Sequence, residues 1–301
     1  MTHEGQDRKS DAASPNDRSR REFVTLSAAV GLAASTGAMS AAAANVIESD
    51  VIIPTPDGSC DGAFFHLANG SHPGVLVWTD VFGLRPVFRE LGRRLASVGY
   101  SVLVPNPFYR TAKAPVFTDV SSFNFQSDAD RAKLPPLTQP LSEPGAVESD
   151  AKAYIAFLDA QPQVNKSKKI GSQGYCAGGP HMLRTAAAVP ERVGAGASFH
   201  GGGLVTEKPD SPHLLAPKIK ARLYIAVAGS DDQKQPDAKD KLREAFAAAK
   251  VPAEIEVYPR DQHGWCVADM PMQADGTPIY NKADAERAWI KLLGLYHSAL
   301  G

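Results

Sequence analysis

Residues Gly171 to Pro180 read G-S-Q-G-Y-C-A-G-G-P, an apolar-leaning run that ends at Tyr175 and gives way to a helix-compatible stretch. Cys176 therefore stands where a strand turns sharply into a helix. Gly174, two residues before it, and Gly178, two after, match the G-x-nucleophile-x-G elbow, in which the chain bends too tightly for side chains beside the nucleophile. Cysteine occupies the place where serine is usual. Pro180 suits the first turn of the following helix, whose amino end favours a developing anion. A thiol presented on such a turn can attack a carbonyl; the plainer alternative is a small buried cysteine in a glycine turn.

Outward from the elbow, short apolar runs alternate with helical periodicity. Val46 to Ile53 and Gly62 to Leu67 flank the turn Thr55-Pro56-Asp57-Gly58 and predict an opening antiparallel hairpin. Gly74 to Thr79 reads as a strand buried on both faces. Val87, Leu91, Leu95 and Val98 then give a helix one apolar face from Pro86 to Gly99. Further strands are expected at Tyr100 to Val104, Lys169 to Tyr175, Ala195 to Phe199, Arg222 to Ala228 and Glu254 to Tyr258, and a closing helix from Ala283 to His297. The alternation predicts an α/β fold with a doubly wound, mostly parallel sheet and helices on both faces, whose ligands bind outside the carboxyl ends of the strands. Thr111 to Gly145 breaks the pattern. It is rich in proline, serine and threonine yet carries Phe117, Phe123 and Phe125, and it is read as a lid-like insertion over that edge or, more plainly, as a surface insertion.

The chain has 301 residues, 43% hydrophobic and 22% charged, with a formal net charge of -1, a balance that points to neither nucleic acid nor an anionic membrane as partner. Three cysteines, Cys60, Cys176 and Cys266, are too few for a disulfide framework and too scattered for structural zinc, although a Cys60 to Cys266 bridge stays open. No metal or organic cofactor is expected. Residues 1–44 differ from the rest. A polar start leads through Ser19-Arg20-Arg21-Glu22-Phe23-Val24 into an alanine-rich run, and Ala42 and Ala44 supply an A-x-A site. This reads as a twin-arginine export signal cleaved after Ala44, implying the twin-arginine machinery as a transient partner and a periplasmic or secreted location. Its alanine, serine, threonine and glycine make it a poor membrane anchor. Residues 45–301 remain as one catalytic-size domain.

A cysteine nucleophile needs a base and a group to orient that base. Gly229-Ser230-Asp231-Asp232 and Asp261-Gln262-His263-Gly264 each follow a strand, in the chain order nucleophile, acid, histidine. Either aspartate could instead cap a helix, and His263 could be a turn histidine. His200 also follows a strand but precedes the acid, so it is read as lining the pocket or as structural. The backbone N–H groups of Val81 and Ala177 are the candidate oxyanion donors.

Asp80-Val81-Phe82-Gly83, Gly174-Tyr175-Cys176-Ala177-Gly178-Gly179, Phe199-His200-Gly201-Gly202-Gly203, Gly229 to Pro236 and His263-Gly264-Trp265-Cys266 together resemble the dienelactone hydrolase family of α/β-hydrolases. The resemblance implies an α/β-hydrolase fold and a lactone or carboxylic ester substrate. It also implies Cys176 as nucleophile, His263 as base and Asp232, four residues before Pro236, as orienting acid. It further implies a thiol-activating carboxylate at Asp80, where the family has glutamate, and a substrate-binding arginine at Arg110. The family's second arginine, four residues after the histidine, is replaced by Val267. Two rivals use the same residues differently: a non-catalytic small-molecule-binding protein on this scaffold, and a thiol redox protein, for which no resolving cysteine stands near Cys176.

Overall fold

The computed structural model describes residues 45–273 and 275–301, so the export signal read in residues 1–44 lies outside the described residues. Eight strands form one sheet in the order β1-β2-β4-β3-β5-β6-β7-β8. β1 (Val46–Thr55) and β2 (Gly58–Leu67) make the opening hairpin, and β2 runs antiparallel to β4 (Ser101–Pro105). From there the sheet is parallel: β4, β3 (Gly74–Trp78), β5 (Ile170–Tyr175), β6 (Val193–Phe199), β7 (Arg222–Ala228) and β8 (Ala253–Tyr258). β3, β4 and β5 are buried along their whole length, which is why they read as unbroken apolar runs.

Two apolar layers cover the sheet. Alternate strand residues such as Val75, Val77, Val102 and Val104 face one layer, with α1 (Pro86–Ser97) and the closing helix α8 (Lys282–Leu300). Leu76, Trp78 and Leu103 face the other, with α4 (Ala146–Ala160) and α5 (Gly178–Ala188). On α4, Val147, Ala151, Tyr154, Ile155 and Leu158 are buried. The face predicted for α1 is turned: Phe88, Gly92, Leu95 and Ala96 are buried, whereas Val98 is exposed in the turn that ends the helix.

The same division removes the possible Cys60 to Cys266 bridge. Cys60 belongs to one apolar layer and Cys266 packs against the other, so the sheet stands between them, and both thiols are free. Residues 111–145 carry structure of their own: α2 (Asp128–Arg131) and α3 (Pro135–Ser142). Phe117, Phe123 and Phe125 from this stretch gather around Phe82, with ring centroids 5.3, 4.9 and 5.7 Å away. The stretch thus carries a small aromatic core around Phe82, while its Leu137 and Leu141 join the layer of Trp78 and Leu103.

Candidate active site

At the end of β5 the chain enters Cys176 with φ 50°, a left-handed conformation that a side-chain-bearing residue adopts only where its surroundings impose it. The glycines impose it here. A Cβ at Gly174 would collide with the carbonyl of Gly178, and one at Gly178 would lie 2.5 Å from the Thr79 carbonyl oxygen. The elbow is pinned by its backbone as well: the Cys176 N–H donates to Phe199 O (3.1 Å), while Cys176 O accepts from the N–H groups of Gly179 and Gly202 (3.1 and 3.3 Å). The close approach of Gly178 to Thr79 sets Ala177 beside the loop after β3. Among the described residues, neither the Ala177 nor the Val81 N–H has a hydrogen-bond acceptor.

β7 and β8 end beside this elbow. α6 (Gly229–Lys234) starts at once after β7, and its Ser230 hydroxyl accepts the His263 N–H at 2.9 Å, tying the two loops together. His263 Nδ1 lies 2.7 Å from an oxygen of Asp231. The carboxylate that meets the ring is therefore not that of Asp232, which receives Lys239 Nζ at 2.7 Å. Successive residues of a helix point about 100° apart, so two adjacent aspartates on α6 cannot both face the histidine. Burial alone would push the His263 imidazolium down; the hydrogen bond to Asp231 and the Cys176 sulfur beside the ring outweigh it and raise the pKa to about 10.

His200, at the end of β6, is buried with φ 41°, and its ring stands edge-on 4.9 Å from that of His263. Burial, then the charge of His263, hold it well below the usual histidine range, and neither ring nitrogen has a hydrogen-bond partner among the described residues. It is a neutral packing partner for the other imidazole.

The two charged residues carried over from the resemblance are engaged elsewhere. Asp80 accepts both arms of Arg85 (2.7 and 2.9 Å) and the Phe82 N–H (2.9 Å), and Arg85 also bonds both oxygens of Asp269. Burial disfavours the guanidinium, but the two carboxylates outweigh it and keep Arg85 charged. In this arrangement Asp80 shapes the loop that carries Val81 and makes no hydrogen bond to Cys176. Arg110 is held by Asp57 and by both oxygens of Asp150, so it fastens its loop to α4 and has no arm free for a substrate carboxylate. Sequence reasoning passed over Arg85, Asp269 and Ser230, because their partners lie up to 184 positions away and no motif marks them.

A cavity of about 230 Å³ opens beside the elbow, lined by Asp80, Phe108, Ala177, His181 and Gly202 together with Thr138, Leu141 and Ser142 of the 111–145 stretch. Next to it lies a groove of about 370 Å³, which shares Leu141, Ser142, Pro180, His181 and Gly202 with it. The stretch that breaks the α/β alternation thus supplies one wall of the cavity beside the elbow.

Comparison with known proteins agrees with this architecture. The carboxymethylenebutenolidase of Rhodococcus opacus is 30% identical over 197 residues, covering 65% of this chain and 71% of that protein. A Methylorubrum extorquens protein provisionally named carboxymethylenebutenolidase is 28% identical and covers 91% of each chain. Among solved structures, a dienelactone hydrolase-like promiscuous phosphotriesterase from metagenomic libraries superposes with a TM-score of 0.68 at 22% identity, covering 85% of this chain and 100% of its own. An acylaminoacyl peptidase of Pyrococcus horikoshii shares the fold at a TM-score of 0.61 and 14% identity, over 85% of this chain and 42% of its own. The model of the dienelactone hydrolase family matches residues 61–300, from the opening hairpin to the end of α8, and the chain belongs to that family.

Proposed function

We propose that the chain is a lactone or carboxylic ester hydrolase with Cys176 as nucleophile, His263 as proton carrier and Asp231 as the carboxylate that orients the ring. The sulfur of Cys176, whose proton His263 holds, adds to the substrate carbonyl carbon, and the carbonyl electron pair moves onto oxygen. The N–H groups of Val81 and Ala177 are free to stabilise that oxyanion. Collapse of the tetrahedral species expels the alcohol oxygen, which takes the proton from His263 and leaves an acyl-thiol. Water, losing a proton to His263, then attacks the acyl carbon; breaking the carbon–sulfur bond releases the acid and leaves the shared proton of the Cys176–His263 pair on the ring.

The observation that carries this reading is the His263 imidazole hydrogen-bonded to the Asp231 carboxylate, with the strained elbow cysteine among the groups that raise its pKa. The contacts that raise the His263 pKa are those an imidazolium needs while it holds the thiol proton. Family membership and the carboxymethylenebutenolidase relatives support the reaction class. Replacing Cys176 by alanine is expected to abolish hydrolysis of an activated ester, and intact-mass measurement during turnover to show one acyl group on the wild-type chain; unchanged turnover in the variant removes the assignment.

The same reading includes export. Ser19-Arg20-Arg21 and the A-x-A site before Asn45 support a folded protein carried by the twin-arginine pathway. Cell fractionation of the full chain with Arg20 and Arg21 both changed to lysine is expected to retain it inside the cell; unaltered export would exclude that route.

A further inference from the structure

The cavity beside the Cys176 elbow has an uneven charge pattern, and the inference drawn from it rests on the hydrolase reading. Its lining carries one charged side chain, Asp80, whose oxygens already receive Arg85. Among the described residues no lysine or arginine lines it. His181, the other titratable group on its wall, is pushed down to about 4 by burial and by nearby Arg184, so it is neutral at neutral pH. Arg110 is consumed by Asp57 and Asp150.

The adjoining groove does not reverse the balance. Glu143, Glu148 and Asp210 line it against Arg184 and Lys208, and Arg184 is bonded to Glu148 and Asp210. A substrate carboxylate entering the cavity would lose its water, meet no cation and face Asp80, which is strongly unfavourable. Phe108 and Leu141 on the wall favour apolar substance instead.

We propose that this hydrolase acts on small uncharged lactones or esters, and that the missing cation in the cavity discriminates against substrates bearing a free carboxylate. The 111–145 stretch, through Thr138, Leu141 and Ser142, is the specificity-determining wall.

The test uses two matched pairs at pH 7: methyl 4-acetoxybenzoate against 4-acetoxybenzoate, and the methyl ester of a carboxymethylene butenolide against its free acid. The purified mature protein is expected to show kcat/KM at least tenfold higher for the neutral member of each pair, with the difference carried mainly by KM. Ser142, exposed and shared by cavity and groove, allows the converse: Ser142→Arg is expected to narrow the gap by lowering KM for the acids. Equal or better turnover of the free acids by the unaltered protein would overturn the proposal while leaving the hydrolase reading intact. Absence of turnover for all four compounds, or turnover that survives Cys176→Ala, would overturn the hydrolase reading and this inference with it.

Discussion

Two charged pairs at the carboxyl edge of the sheet are built in opposite ways. The side chains of Arg85 and Asp80 are 1% and 2% exposed, whereas those of His263 and Asp231 are 29% and 22% exposed. A sealed ion pair cannot change protonation without stranding a charge away from water, so it serves as fixed scaffolding. A partly exposed pair can pass a proton and recover. The scaffold pair holds the loop of Val81 in place; the open pair is the one proposed to move the proton. Carboxylates alike in sequence are divided between these tasks by burial and by what they touch.

The sharpest way to break this contrast is at the open pair. Asp231→Asn is expected to lower kcat/KM for an activated ester by about a thousandfold or more, because the ring loses the partner that stabilises its charge and fixes its orientation. Asp232→Asn, whose side chain points away from the ring to Lys239, should change it by less than about threefold. A large loss confined to Asp232→Asn would return the acid to the residue that the family resemblance implied. At the sealed pairs, Arg85→Ala leaves Asp80 buried without its partner and should reduce stability in urea by about 3–5 kcal/mol; Arg110→Ala, which strands Asp150, should come close to it. Arg110→Ala should leave KM for a neutral ester unchanged, and a rise in KM would reinstate the substrate clamp.

The smallest expected effect follows the proton on His263. Its folded pKa of about 10 lies above the usual 6.5, so proton binding favours the folded state. The contribution is complete below about pH 6.5 and is lost as pH rises through about 10. The urea midpoint should therefore fall between pH 7 and 10, and fall less in Asp231→Asn; equal slopes would show that the ring is not held charged by that carboxylate.

Much of the fold was legible because its signals are local. Strands buried on both faces must be continuous apolar runs, and Gly174 and Gly178 mark the elbow because no other residue fits their contacts. Cys176 and His263 could be read for the same reason: each closes a strand, and parallel strands in this topology bring their carboxyl ends to one edge. The turned face of α1 was less legible, since Val98 fits the helical period but falls in the terminating turn, where period no longer decides burial. Segment 111–145 read as an irregular insertion because proline and serine hide its two short helices, of which the first buries nothing and the second only Leu137 and Leu141, in the layer of Trp78 and Leu103.

By itself, the order of residues determined the parallel α/β sheet, the sharp turn at Cys176 and the arrival of an acid and a histidine after it, all of which depend on backbone sterics and periodicity. Tertiary structure alone decided which aspartate faces His263, that Arg85 locks Asp80, that Arg110 is spent on Asp57 and Asp150, and that no cation lines the cavity among the described residues. The reason is that pairing of charges depends on direction and burial. Neighbours in the chain point apart, while partners 40 or 184 positions away meet across the fold.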